Sequence, residues 1–212
     1  MRSTNFFSIL LVCLIVLACR QPAKSQSFQR EIYSQFIESV LPLKFKDRKF
    51  KHGFIIRVRP SFESEFLLKI EVHDREVEIT RVVSESGNLY SFTLSILEED
   101  GNANVNKLTS IVKMRTETKR FRSRDFEAMR KLFKSKLGSL VDQSARYGTI
   151  PPSTATVIIH GTTYQVLYQN SSGEYLTTWA YDYSLEANSF NSPIVDWIKR
   201  ILKFYETNQD VR

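Results

Sequence analysis

The chain has 212 residues, 42% apolar and 25% charged, and Lys and Arg outnumber Asp and Glu by 30 to 23 for a formal +7. That balance belongs to a chain that buries a core and excludes an intrinsically disordered protein. Seven Gly and six Pro exclude collagen-like and low-complexity architectures, and two Cys exclude a disulfide-stapled scaffold.

The first element is apolar. Phe6 to Ala18 reads FFSILLVCLIVLA, thirteen residues broken only by Ser8 and preceded by Arg2. A bilayer-spanning helix needs about 20 apolar residues. A shorter run behind a basic start is the h-region of a secretory signal peptide, so the protein is expected to be exported. The run ends in Val16-Leu17-Ala18-Cys19. This segment resembles the lipobox of bacterial lipoproteins, with Val16 and Leu17 departing from that family's usual Leu and small residue. The resemblance implies cleavage after Ala18, a lipid on Cys19 and a place in the cell envelope. The alternative is cleavage after Ser25, with Ala23 and Ser25 as the small residues, which gives a secreted protein. Residues 1–25 are thus signal peptide and tether, and residues 26–212 a single globular domain. Membrane contact is expected only through the lipid on Cys19.

Both Cys residues, Cys13 and Cys19, precede that domain. Its fold is expected to be disulfide-free, without thiolate nucleophile or Cys-ligated metal. Removing residues 1–25 takes away Arg2, Arg20 and Lys24 and no acid, leaving 27 basic against 23 acidic residues, or +4. A mildly basic exported protein is not expected to bind nucleic acid.

Within the domain, Ser27–Leu41 carries apolar residues at helical spacing and is closed by Pro42. Gly53–Arg59, Phe66–Val72 and Glu76–Val83 alternate with period two and predict strands. Tyr90, Phe92, Leu94 and Ile96 alternate likewise and predict a fourth, and Leu108–Arg115 a fifth. Ser123–Leu140 returns to period 3.6, with Phe126, Met129, Phe133, Leu137 and Leu140 on one face. Pro151-Pro152 breaks the chain. Thr156–His160, Thr163–Tyr168 and Glu174–Tyr183 predict three more strands. The last element is a helix with Ser192 as N-cap and Pro193 at its first position. Its stripe of Ile194, Trp197, Ile198, Ile201 and Tyr205 is expected to dock on the 163–183 hairpin, burying Tyr164, Tyr168 and Trp179. The predicted order is α-βββββ-α-βββ-α. Strands arriving in runs predict an α+β fold, a mainly antiparallel sheet of about eight strands with one wet face and three helices.

Catalytic signatures are absent: no HExxH helix, GxSxG elbow, GxGxxG or GxxxxGK[ST] loop occurs. No cofactor or metal motif is found. His73-Asp74 are neighbours in sequence and read as a hairpin end. Asp100-Gly101-Asn102-Ala103-Asn104 opens like a calcium loop, but Val105 stands where Gly is needed and Ile111 where the bidentate Glu should be. It reads as a polar hairpin loop.

Two surfaces remain as candidates. Lys113–Lys136 is densely basic, and Lys119, Arg120, Arg122, Arg124, Lys131 and Lys134 are its candidate contacts to an anionic surface or acidic polysaccharide. Tyr175, Trp179 and Tyr181 could form an aromatic recognition surface. The expected function is an exported, lipid-anchored, non-catalytic protein that presents a binding surface. The rival is an exported hydrolase, with His160 paired to Asp182 or Glu174 near the last hairpins.

Overall fold

The computed structural model describes residues 22–45, 50–132, 161–170, 175–185, 188–189 and 193–208. The strand β1, His52–Pro60, is its centre. Six consecutive positions of β1, from Gly53 to Val58, are buried, because side chains leave a strand on alternate faces and both faces are covered here. On one side β1 pairs with β2, Phe66–Val72, which pairs with β3, Glu76–Ser84, and that with β4, Met114–Arg122. On the other side it pairs with β5, Gly161–Asn170, followed by β6, Tyr175–Leu185, and the short β7, Asn188–Ser189. The order is β4-β3-β2-β1-β5-β6-β7, with every pairing antiparallel. Strands from either side of Pro151-Pro152 thus share one sheet.

Helices lie against both faces. On the first, Phe54, Ile56, Leu68, Ile70, Val77, Ile79, Tyr164 and Val166 meet two helices. These are α4, which runs from residue 123 to the edge of the described residues at 132, and α5, Pro193–Thr207. α5 buries Ile194, Val195, Trp197, Ile198, Ile201 and Tyr205. Each such side chain removed from water contributes about 1.5–3 kcal/mol. Its dock is the row of Phe54 and Tyr164, with the Trp197 and Phe54 rings 5.4 Å apart. Tyr164 is core as the stripe predicts, whereas Tyr168, expected to be buried, is half-buried. Ala180, not Trp179, is registered opposite Tyr164; Trp179 is registered opposite Gln165, the next position along β5, and its side chain, expected to be buried, lies outside the described residues.

The second face is covered by α1, Pro22–Val40, α2, Leu89–Glu99, and α3, Val105–Ile111. α1 points Ile32, Tyr33, Phe36 and Ile37 inward, and Phe36 stacks on Phe92 of α2 at 6.1 Å. At the far end of this face the Phe45 and Phe50 rings close over Gly53, where an added Cβ would stand 2.5 Å from Phe45 Cζ. Beyond these helices the face is wet, where Thr80 meets Thr118 at 3.0 Å and Arg120 meets Glu78 at 3.2 Å.

The fold is therefore α+β and antiparallel as the sequence predicts, while the element count and order are not. Five helices are described where three were expected, and the predicted eight strands do not match. Tyr90–Ile96 is part of α2, not a strand. Leu89, Thr93 and Leu97, four residues apart, are its buried positions, and Asn88 Oδ1 caps it by accepting from Ser91 N at 3.0 Å. Leu108–Arg115 splits into the end of α3 and the start of β4. Asn104 caps α3, accepting from Lys107 N at 3.1 Å. The Asp100–Asn104 segment therefore joins two helices and is no hairpin loop; Asp100 Oδ1 accepts from Asn102 N at 3.0 Å. α1 begins at Pro22, five residues earlier than expected, so part of the proposed tether is helical. The predicted strand Thr156–His160 and residues 133–140 of the predicted second helix lie outside the described residues.

Candidate functional site

The basic residues divide by the two faces of β4. Lys119 shares its row with Phe121 and points towards α5. Its Nζ donates to the Tyr205 carbonyl at 3.0 Å and lies 4.6 Å over the Tyr205 ring. A cation at the last turn of a helix satisfies an orphan carbonyl and opposes the macrodipole, so Lys119 holds α5 in place. Arg120 and Arg122 lie in the other row, registered opposite Glu78 and Glu76. Arg120 meets Glu78 at 3.2 Å, Arg124 meets Asp125 at 3.5 Å and Lys131 meets Glu127 at 3.9 Å. All four cations are exposed, so these pairs contribute at most about 1 kcal/mol each and leave the charges open to a partner. Lys134 lies outside the described residues.

Two buried charges serve helix ends. Arg57 is 4% exposed. Its Nε donates to the Leu41 carbonyl just past α1 at 2.8 Å, Nη2 to Glu38 at 2.7 Å and Nη1 to Gln165 at 3.0 Å. Burial draws its pKa below the ordinary value, and Glu38 offsets part of that. Glu65, 1% exposed, accepts from the Tyr33 hydroxyl at 2.8 Å and from Leu89 N at 2.5 Å, where α2 begins. A carboxylate there satisfies an orphan N–H and the positive end of the helix dipole.

The structure also joins the helical pair Glu127 and Arg130 to His52 and Tyr168, which no sequence pattern connects to it. His52 Nδ1 lies 2.9 Å from the Tyr168 hydroxyl, and Arg130 Nη1 3.3 Å from His52 Nε2. Arg130 is itself gripped by Glu127, Nε to Oε2 at 2.8 Å and Nη2 to Oε1 at 2.5 Å. That carboxylate holds the guanidinium pKa above its ordinary value. A guanidinium only donates, so Nε2 is the accepting nitrogen and Nδ1 carries the hydrogen given to Tyr168. The ring nitrogen that a general base would use thus faces a cation, and the chain Glu127–Arg130–His52–Tyr168 orients the phenol without supplying a base. His52 and Tyr168 are separated by 116 residues and His52 and Arg130 by 78, which hides the cluster from sequence. The one legible hint is that His52 and Tyr168 each open or close an apolar alternation.

His73 and Asp74 follow β2 in the turn to β3, and Asp74 pairs with Lys51, which holds its carboxyl below the usual range. No group of three or more His, Cys, Asp or Glu able to hold a metal occurs among the described residues. No helix among them is long and apolar enough to cross a membrane. Tyr175, Trp179 and Tyr181 fall in β6, registered opposite Gln169, Gln165 and Thr163; their side chains lie outside the described residues. So do Cys19, His160 and Glu174. Asp182 is registered opposite Thr162, and its side chain is likewise not described. Comparison with protein-family models, with curated proteins and with solved structures finds no match to this chain.

Proposed function

We propose that this is an exported, lipid-anchored, non-catalytic protein that presents a binding surface to an anionic partner. The observation that carries the reading is the apolar run Phe6–Ala18 followed directly by Cys19. The exposed cations of β4 and α4, Arg120, Arg122, Arg124 and Lys131, supply the surface. An anionic polysaccharide would meet them.

Intact mass of protein from the native host tests the anchor. Loss of residues 1–18 with an acyl-bearing adduct on Cys19 is the expected result. A mature chain starting at Gln26 would overturn the lipid anchor and keep export. Salt-sensitive retention on heparin, weakened by charge reversal at Arg122, Arg124 and Lys131, tests the surface; retention unchanged by the reversal would overturn it. Surface charges are screened within about 8 Å at physiological salt, hence the expected salt sensitivity.

A further inference from the structure

Four large apolar side chains are exposed among the described residues: Phe28 at 51%, Phe62 at 68%, Tyr90 at 38% and Ile111 at 41%. Three of them gather at one end of the fold, and the contacts along α1 and β1 show why. Arg57 reaches Glu38 and the Leu41 carbonyl near the end of α1, whereas Arg59 lies 5.0 Å over the ring of Tyr33. β1 therefore runs antiparallel to α1, towards the helix start. β1 ends at Pro60, and the bend at 61–63 that follows carries Phe62 past the level of Tyr33 towards the start of α1, where Phe28 lies. The start of α2 joins them. Asn88 Nδ2 donates to the Glu63 carbonyl at 3.0 Å, and the Tyr90 ring stands 5.0 Å from that of Tyr33.

This is also the end at which the chain enters α1. Only Arg20 and Gln21 separate Cys19 from Pro22. Three residue steps reach at most about 11 Å, and the six from Pro22 to Phe28 rise about 9 Å along the helix. Phe28 is thus at most about 20 Å from the anchor point, and a tilted α1 brings it to the surface that holds the anchor.

We propose that this end of the domain, carrying Phe28, Phe62 and Tyr90, rests in the interface of the bilayer to which the N-terminus is attached; the proposal rests on the lipid-anchored reading above. Stable anchoring takes two signals, and an apolar patch seated beside a lipidated residue is a second. Phe and Tyr suit that layer, with a large apolar ring and, in Tyr, a polar tip. Arg30, Arg59 and Glu63 lie at this end as well, and it is the exposed rings, not these charges, that insert. The β2–β3 turn at Arg75 lies at the opposite end of β2, about 23 Å away along the strand, and faces water.

The test uses the full chain, processed by its host and reconstituted in vesicles of equal parts phosphatidylethanolamine and phosphatidylglycerol. With Cys13 removed and Cys19 blocked by lipid, Phe62→Cys, Phe28→Cys and Arg75→Cys each offer one thiol for an environment-sensitive fluorophore. Labels at 62 and 28 are expected to shift to the blue and to be quenched by brominated lipids, unaffected by added salt. The label at 75 is expected to stay unshifted and unquenched. Protein that sediments with the vesicles while labels at 62 and 28 behave like that at 75 overturns the proposal and leaves the anchor standing. Wild-type chain that stays in the supernatant, with Cys19 either open to the label or cleaved away, overturns the anchored reading and the proposal with it.

Discussion

Glu65→Ala probes the joint between α1 and α2. The Glu65 carboxylate, 1% exposed, is the acceptor for two donors, the Tyr33 hydroxyl at 2.8 Å and Leu89 N at 2.5 Å. Truncation leaves both unpaired in the interior, and each orphaned buried donor costs about 1–3 kcal/mol, so the loss is about 2–6 kcal/mol. For a chain of this size that lowers the melting temperature by about 2–4 °C per kcal/mol. Glu65→Gln separates pairing from charge. Its amide oxygen can take Leu89 N and its NH2 can donate to the Tyr33 oxygen, so it loses only charge assistance, about 1 kcal/mol. Tyr33→Phe removes one donor at its source. The double variant Glu65→Ala with Tyr33→Phe is therefore expected to cost less than the two singles added, by about 1–2 kcal/mol. Equilibrium urea unfolding of wild type and the four variants reads all these values. Glu65→Ala within about 0.5 kcal/mol of wild type, or Glu65→Gln as damaging as Glu65→Ala, would refute the pairing argument.

Two further outcomes follow from the same core. Trp197, 1% exposed, packs on Phe54 and donates from Nε1 to the Met129 carbonyl at 2.8 Å; Trp197→Ala is expected to cost about 3–5 kcal/mol and Trp197→Phe clearly less, measured by denaturant midpoint. Equal losses would mean that the ring volume contributes nothing. Burial pushes the Tyr33 phenol pKa above its ordinary 10.0, with Arg59 opposing and Glu65 reinforcing the shift. Below pH 10 the phenol is protonated in both states and its contribution is intact. As pH rises past 10 the unfolded chain ionises first, so native stability falls. Unfolding measured on either side of that pH should show a steeper alkaline loss for wild type than for Tyr33→Phe, and parallel curves would contradict the buried phenol.

Periodicity alone determined β1, β2, β3, β5, β6 and α5, because in each the apolar spacing matches a single period and the bounding turn residues agree with it. Pro193 and the stripe from Ile194 to Tyr205 leave a helix no competitor, and Phe54, Ile56 and Val58 leave a strand none. The apolar run and Cys19 were equally legible, and the export proposed from them rests on composition without any fold. Tertiary structure decided the rest. The stretch from Leu89 to Leu97 satisfies both periods, with 90, 92, 94 and 96 alternating and 89, 93 and 97 four apart. The helix wins because Glu65, just before β2, caps its first N–H and because Phe92 finds Phe36 of α1. One sheet face expected to be wet is largely covered, because α2 and α3 are helices that lie on it. The basic run was visible, but not its division: a one-residue step along β4 separates Lys119, spent on the end of α5, from Arg120 in solvent. The same holds for His52, Arg130 and Tyr168. Chain spacing carries no information about which of three distant elements will meet at one end of a sheet; only the register of β1 against β5, and α4 lying across that face, bring them together.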